Sequence, residues 1–237
     1  MTDAEVSRET RRQQRHWSRH AESYDTTIAK VERSMLARTR EWIGERATGR
    51  VLEVAVGSGR SLPYYRDDVS LVGVDLSPEM LAIARRRATE LGMTADLREG
   101  NAEALPFDDA SFETVVCALA LCSIPRPDIA LKEMARVVVP GGSVVVVDHV
   151  RSDVAVIFAG QWMLERFTIP LQGEHLTRRH RDEMEAAGLV IVEDERLRSG
   201  SVERIRATHP DGSTRIESVR RPAPVRTCRE NPLIRRR

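Results

Sequence analysis

The sequence predicts an α/β fold: a doubly wound, mostly parallel sheet with an antiparallel last strand and helices on both faces. Three observations predict it. From residue 51 onward short apolar runs alternate with amphipathic segments, the pattern of strands joined by crossover helices. The run SVVVVDHV is too apolar for either face to meet water, as in a strand covered on both sides. Finally, LVIVEDERLR and VERIRATH are joined only by Ser199–Gly200–Ser201, a connection short enough for a hairpin.

Each element has its own local justification. Residues 4–46 read as helical, because Ile28, Val31, Met35, Trp42 and Ile43 recur at helix spacing among Arg and Glu. A break is expected near Ser23–Thr27, around Tyr24 and Asp25. RVLEVAV and SLVGVD (70–75) are the first two strands. The helix at 77–92 is punctuated by Ser77 as N-cap, Pro78 at its first position and Gly92 as its stop. Strands follow at 95–100 and 111–120. Next comes a helix at 127–138 that buries Ala130, Met134, Val137 and Val138. PGG (140–142) is read as a turn before the strand at 143–150. Residues 151–180 form an insertion of mixed character, 178–187 a helix ended by Gly188, and 189–209 the closing hairpin. The segment 220–237 is rich in Arg and Pro with little to bury, so it is expected to be loosely attached. The resulting division is 1–46, 47–209 and 210–237.

Bulk composition narrows the function. A net charge of +1 and 4% aromatic residues argue against a nucleic-acid partner. No run reaches the roughly 18 apolar residues of a membrane span, and the N-terminus has no signal-peptide core. Cys117, Cys122 and Cys228 show neither a metal spacing nor a disulfide framework. The expectation is a cytoplasmic protein without a metal or stable membrane insertion.

The stretch VLEVAVGSGRS is a strand that stops at glycines, where a ligand can approach the backbone. A dinucleotide or S-adenosylmethionine would suit such a corner. The third glycine of G-x-G-x-x-G is missing, because Gly57-Ser58-Gly59 is followed by Arg60, Ser61 and Leu62. Glu53 before the turn would repel a pyrophosphate and attract an ammonium or sulfonium.

E-x-A-x-G-x-G resembles the first motif of class I S-adenosylmethionine-dependent methyltransferases, and the likeness extends over about 45–150 through V-G-V-D-L-S-P-E-M-L, G-N-A-E-A-L-P-F-D-D-A-S-F and R-V-V-V-P-G-G-S. It implies a Rossmann-like, seven-stranded sheet under an N-terminal helical lid. It also implies S-adenosylmethionine as cofactor, held by Tyr24, Glu53, Ala55, Gly57, Ser58, Gly59, Asp75, Leu76, Met80, Asn101, Ala102, Glu103 and Ala118. In the family an acid at Asp75 accepts both ribose hydroxyls, and Asn101 and Ala102 lie where adenine is contacted. Ala55 replaces a glycine and is expected to keep negative φ. Gly57 and Gly59 are expected against the ligand.

The acceptor is less determined. V-V-C-A-L-A-L-C-S-I and the later G-x-H-L-T-R resemble a subgroup that methylates alkyl thiols. L-E-V-A-V-G-S-G and the N-terminal S-Y-D are similar to bacterial phospholipid amine and quinone methyltransferases. The likeness implies a small, rather apolar acceptor, with a thiol slightly favoured. Candidates to bind it are Cys122, Trp162, Met163, Phe167, His175 and Arg178, and His149 is placed to act as a base. Cys117 reads as core.

Overall fold

In the computed structural model the described residues are 8–35 and 38–211, without the side chains of residues 30–35. Expectations that rest on Val31, Met35, Cys228 and the Arg/Pro-rich segment therefore lie outside them. The chain order is α1 (Arg8–Met35), α2 (Thr39–Arg46), β1 (Arg50–Val54), β2 (Ser70–Asp75), α3 (Pro78–Glu90), β3 (Ala95–Glu99), β4 (Phe112–Ala118), α4 (Pro127–Val137), β5 (Val138–His149), α5 (Ala155–Gln172), α6 (His180–Ala186), β6 (Val190–Leu197) and β7 (Val202–Thr208).

The seven strands form one sheet in the order β3-β2-β1-β4-β5-β7-β6. The pairs among β1 to β5 are parallel, while β7 runs antiparallel to both β5 and β6. The expected antiparallel strand thus lies inside the sheet, and its hairpin partner β6 takes the edge. Strand order reverses between β1 and β4, and at such a switch point a crevice opens beyond the carboxyl ends of the strands.

Alternation along β1 sorts its side chains between two cores. Leu52 and Val54 join Ala130, Leu131 and Met134 of α4 and Met184 of α6 on one face. Val51 joins Trp42 and Ile43 of α2 and Ala88 of α3 on the other. Helices therefore cover both faces, which is why the central strands β1, β2 and β4 and the later part of β5 carry so few polar side chains.

Two boundaries differ from the sequence-based expectation. α1 runs without a break through Ser23–Thr27, because its hydroxyls bond back to helix carbonyls: Thr26 and Thr27 Oγ1 donate to Ser23 O at 2.8 and 2.9 Å. Local hydroxyl bonding of this kind keeps a helix intact as readily as it ends one. The PGG segment is not a turn but an irregularity inside β5. Phe112 pairs with Val138 and Thr114 with Ser143, so the residues between them bulge outward, with Gly141 at φ +77°. The 151–180 segment contains the 18-residue helix α5.

Candidate active site

The cleft begins where β1 ends. Ala55, Gly57 and Gly59 have φ of +55°, +56° and +76°. Ala55 thus departs from the expected negative φ: the corner needs a left-handed residue there, and the methyl group is tolerated at a cost of about 1 kcal/mol. The two glycines serve different ends. A Cβ on Gly57 would meet only the Ala55 carbonyl oxygen, at 4.0 Å, and Gly57 lines the cleft. A Cβ on Gly59 would stand 2.7 Å from Leu62 Cδ1 and 3.1 Å from Ala84 Cβ. Gly59 is therefore required by packing beneath the turn and does not line the cleft.

Asp75, at the end of β2, binds the corner together. Its Oδ2 accepts from Gly57 N and its Oδ1 from Ser77 N, both at 2.8 Å. Burial raises its pKa to about 6 against these stabilising backbone donors. Each carboxylate oxygen retains a lone pair for a further donor. Beyond β3, Asn101 is buried and accepts Glu103 N through Oδ1 at 3.0 Å. Leu76, Met80, Ala102, Ala118, Leu119 and Ile124 give the cleft its apolar walls. At the β1 side Glu53 is buried, receives the Tyr65 hydroxyl at 3.1 Å, and has its carboxyl pushed upward by that burial.

α1 roofs the cleft. Gln13, Trp17 and Tyr24 all line it and recur on one helical face; Trp17 and Tyr24 meet edge to face at 5.8 Å between ring centres. Asp25 fastens this helix to the glycine corner. It accepts Ser58 Oγ at 2.6 Å, pairs with Arg87 of α3, and lies 3.5 Å from Arg60. Burial opposes its ionisation, but the Ser58 hydroxyl and the two guanidinium groups win and lower its pKa. Gln14 adds a bond to Leu76 O at 2.9 Å.

Expected site residues divide accordingly. Tyr24, Glu53, Ala55, Gly57, Ser58, Asp75, Leu76, Met80, Asn101, Ala102 and Ala118 surround one cleft. Glu103 does not reach it, because its carboxylate is taken by Arg126 at 2.8 and 3.0 Å. Trp162 and Phe167 are 51% and 63% exposed and do not line the cleft, and Met163 is exposed beside them. Arg178 is a clamp: its Nη1 donates to Leu121 O and Ile124 O, both at 2.6 Å. His175 contributes its backbone, donating N–H to Cys122 O at 2.8 Å.

Those bonds assemble a second cluster beside the cleft. Cys122 Sγ, a ring nitrogen of His149 and a carboxylate oxygen of Glu174 lie within 4.8 Å of one another, close enough to surround one small cation. Asp148, fully buried behind them, accepts Cys122 N at 2.9 Å and His149 N at 2.6 Å. Its carboxylate also lies 3.8 Å from His149 Nδ1, a buried atom without a protein hydrogen-bond partner. Burial, with Asp148 adding to it, raises the pKa of Glu174, although the nearby His149 works against the shift. Burial and the two acids push the Cys122 thiol well above its usual range.

Sequence reasoning missed Gln13, Trp17, Arg40, Asp25 and Glu174. The first two share a helix face with Tyr24, a signal that was readable. Glu174 was passed over as the variable position of G-x-H-L-T-R. Arg40 and Asp25 act through distant partners, Ser61 and Arg87 among them, which no local pattern announces.

The cleft fits S-adenosylmethionine. Asp75 has acceptors left for two ribose hydroxyls, Gly57 leaves open space, and the buried Glu53 offers negative charge to an ammonium or sulfonium. Comparison with known proteins agrees. A family model described as a methyltransferase domain matches residues 52–146. Phosphatidylethanolamine N-methyltransferase of Cereibacter sphaeroides is 42% identical over 146 residues, 61% of this chain and 71% of that one. Demethylmenaquinone methyltransferase of Thermus thermophilus is 37% identical over 107 residues, 44% of this chain; the match spans about half of that relative, 49%. A crystal structure from Thermotoga maritima, described as an S-adenosylmethionine-dependent methyltransferase and possible histamine N-methyltransferase, superposes with a TM-score of 0.65 over 83% of this chain and 99% of that one, at 23% identity. With its switch-point cleft, its acid-and-glycine corner and these relatives, the chain belongs to the class I S-adenosylmethionine-dependent methyltransferases.

Proposed function

We propose that the enzyme methylates the amine headgroup of a phospholipid. The observation that carries this reading is the acid-rich cluster of Asp148 and Glu174 around His149 and Cys122, beside the cleft. The buried Asp148 and the partly buried Glu174 favour an incoming ammonium and disfavour an incoming thiolate. The thiol preference drawn from the sequence motifs gives way to this charge balance. The likeness to a phosphatidylethanolamine N-methyltransferase supports the same choice.

In this reading Asp75 and Asn101 hold the nucleoside of the cofactor, Gly57 lets it lie against the backbone, and Glu53 faces its charged end. The cofactor supplies an electrophilic methyl group on a sulfonium leaving group. The α1 roof excludes water, and holding the two reactants together provides much of the rate. An amine is nucleophilic only when neutral, so an acceptor ammonium must first lose a proton. Glu174, with its raised pKa, is a stronger base than an ordinary carboxylate. His149 at the end of β5 stands within reach of the same group.

The test is methyl transfer from labelled S-adenosylmethionine to vesicles containing an ethanolamine phospholipid, to a demethylated quinone and to alkyl thiols. The expected product is the N-methylated headgroup. For Glu174→Gln, kcat on the lipid amine should fall by about tenfold to a hundredfold, with unchanged affinity for S-adenosylhomocysteine. Label appearing only on the thiol or the quinone would overturn the reading.

A further inference from the structure

Helix α5 is turned inside out. Its one buried residue is the acidic Glu165, whose carboxylate accepts Thr177 N and Thr177 Oγ1 at 2.8 and 2.9 Å. Its apolar side chains face the other way. Val156, Met163, Phe167 and Leu171 fall on one helical face and are 82%, 62%, 63% and 73% exposed. Trp162 and Leu164 flank them, each about half exposed. A contiguous apolar face of this kind marks a contact surface.

What lies beside it says what covers it. Arg8, Arg12, Arg15 and Arg19 recur at helical spacing along one face of α1 and are all exposed. Arg12, in the middle of that row, donates to the carbonyls of Ile169 and Pro170 in the last turn of α5. The cationic row thus abuts the apolar one. On and beside α5 itself, Arg151 stacks over Phe158 at 4.1 Å and Arg166 over Trp162 at 4.7 Å. Apolar side chains rimmed by arginines suit the boundary between anionic headgroups and acyl chains. A symmetric second copy fits less well, since an isologous contact would bring the same arginine row in twice.

We propose that α5 and the arginine face of α1 form one surface that adsorbs to an anionic phospholipid layer. The apolar face of α5 lies among the outer acyl carbons, and the arginines meet headgroup phosphates. No helix among the described residues is long and apolar enough to cross a membrane, so the contact is interfacial. This deepens the lipid-amine reading and rests on it for its purpose, since it brings the cleft to a substrate that stays in its bilayer.

The test is cosedimentation of the full chain with vesicles of phosphatidylglycerol and phosphatidylcholine, which carry no methylatable amine. Wild type should pellet with these vesicles and bind pure phosphatidylcholine at least tenfold more weakly. The triple variant Val156→Ser, Met163→Ser, Leu171→Ser should bind anionic vesicles at least tenfold more weakly, with unchanged affinity for S-adenosylhomocysteine. Arg8→Gln with Arg15→Gln should weaken binding and flatten its dependence on salt. Every variant keeps the arginines of 220–237, so a loss belongs to the helices. Wild type left in the supernatant, or a triple variant that binds as tightly, would overturn the proposal. So would a dimer that the triple variant dissociates while vesicle binding stays unchanged. Vesicle binding together with methylation of some other acceptor would sink the lipid-amine reading alone.

Discussion

Asp75 shows how one side chain serves two demands of opposite sign. Its pKa is raised to about 6 by burial, whereas an unfolded aspartate titrates near ~3.9. Folding therefore favours the protonated form. Its contribution to stability is greatest below ~pH 3.9 and is lost as pH rises through about 6. Cofactor binding needs the ionised form to accept hydroxyl donors, so affinity for S-adenosylhomocysteine should be flat above neutrality and fall as pH drops through about 6. Calorimetric titration across that range checks the sign. Asp75→Ala should remove the pH step and weaken binding by roughly tenfold to a hundredfold at neutral pH, the worth of about 1.5–3 kcal/mol for lost charged hydrogen bonds. At this scale much of the cleft lining was legible: Glu53, Gly57, Asp75 and Asn101 sit at or just beyond strand ends and line it. Ala55 and Gly59 were misjudged because backbone conformation and packing under a turn depend on neighbours such as Leu62 and Ala84, which adjacent letters do not reveal.

Among the elements, α1 contributes most to the cleft beyond the sheet itself. Its hold depends on Asp25, which joins Ser58 of the glycine corner to Arg87 of α3. Asp25→Ala should loosen the roof while leaving the sheet intact. Amide exchange over residues 13–24 should quicken, and affinity for S-adenosylhomocysteine should fall by about tenfold, in line with the loss of a charged hydrogen-bonded partner. Unaltered exchange would mean that the bonds of Gln14 to Leu76 and of Ser18 to Ser77 suffice to hold the helix. Elements with strong punctuation were read well: α3 carries its Ser77 cap, with Met80 N donating to Ser77 Oγ at 3.1 Å. The expected break in α1 and the PGG turn failed for a common reason. Residues that favour turns were overruled by bonds available only in place: hydroxyls to helix carbonyls in one case, Gly141 and Gly142 bonded to the backbone of His209 just past β7 in the other.

At the scale of the whole molecule, the alternation of strands and helices was enough to place the cleft, because a parallel sheet with a reversal of strand order opens a crevice at a known end. The acceptor side was less legible, since Cys122, His149 and Glu174 come from three separate stretches of the chain that are brought together by His175 N, Arg178 and Asp148. The near-zero net charge of +1 also conceals an arginine row on one helix, a reminder that bulk charge does not describe a surface. The sheet order has a further consequence for biogenesis. The outer edge of β5, from Ser143 to His149, is covered by β7, which pairs along that whole length. A ribosome emits β5 well before β7, so this valine-rich ribbon waits bare while some fifty more residues are threaded out. During that interval it is the segment most open to pairing with a neighbouring nascent chain, and codon tempo or chaperone capture over that stretch would decide how much of the polypeptide matures.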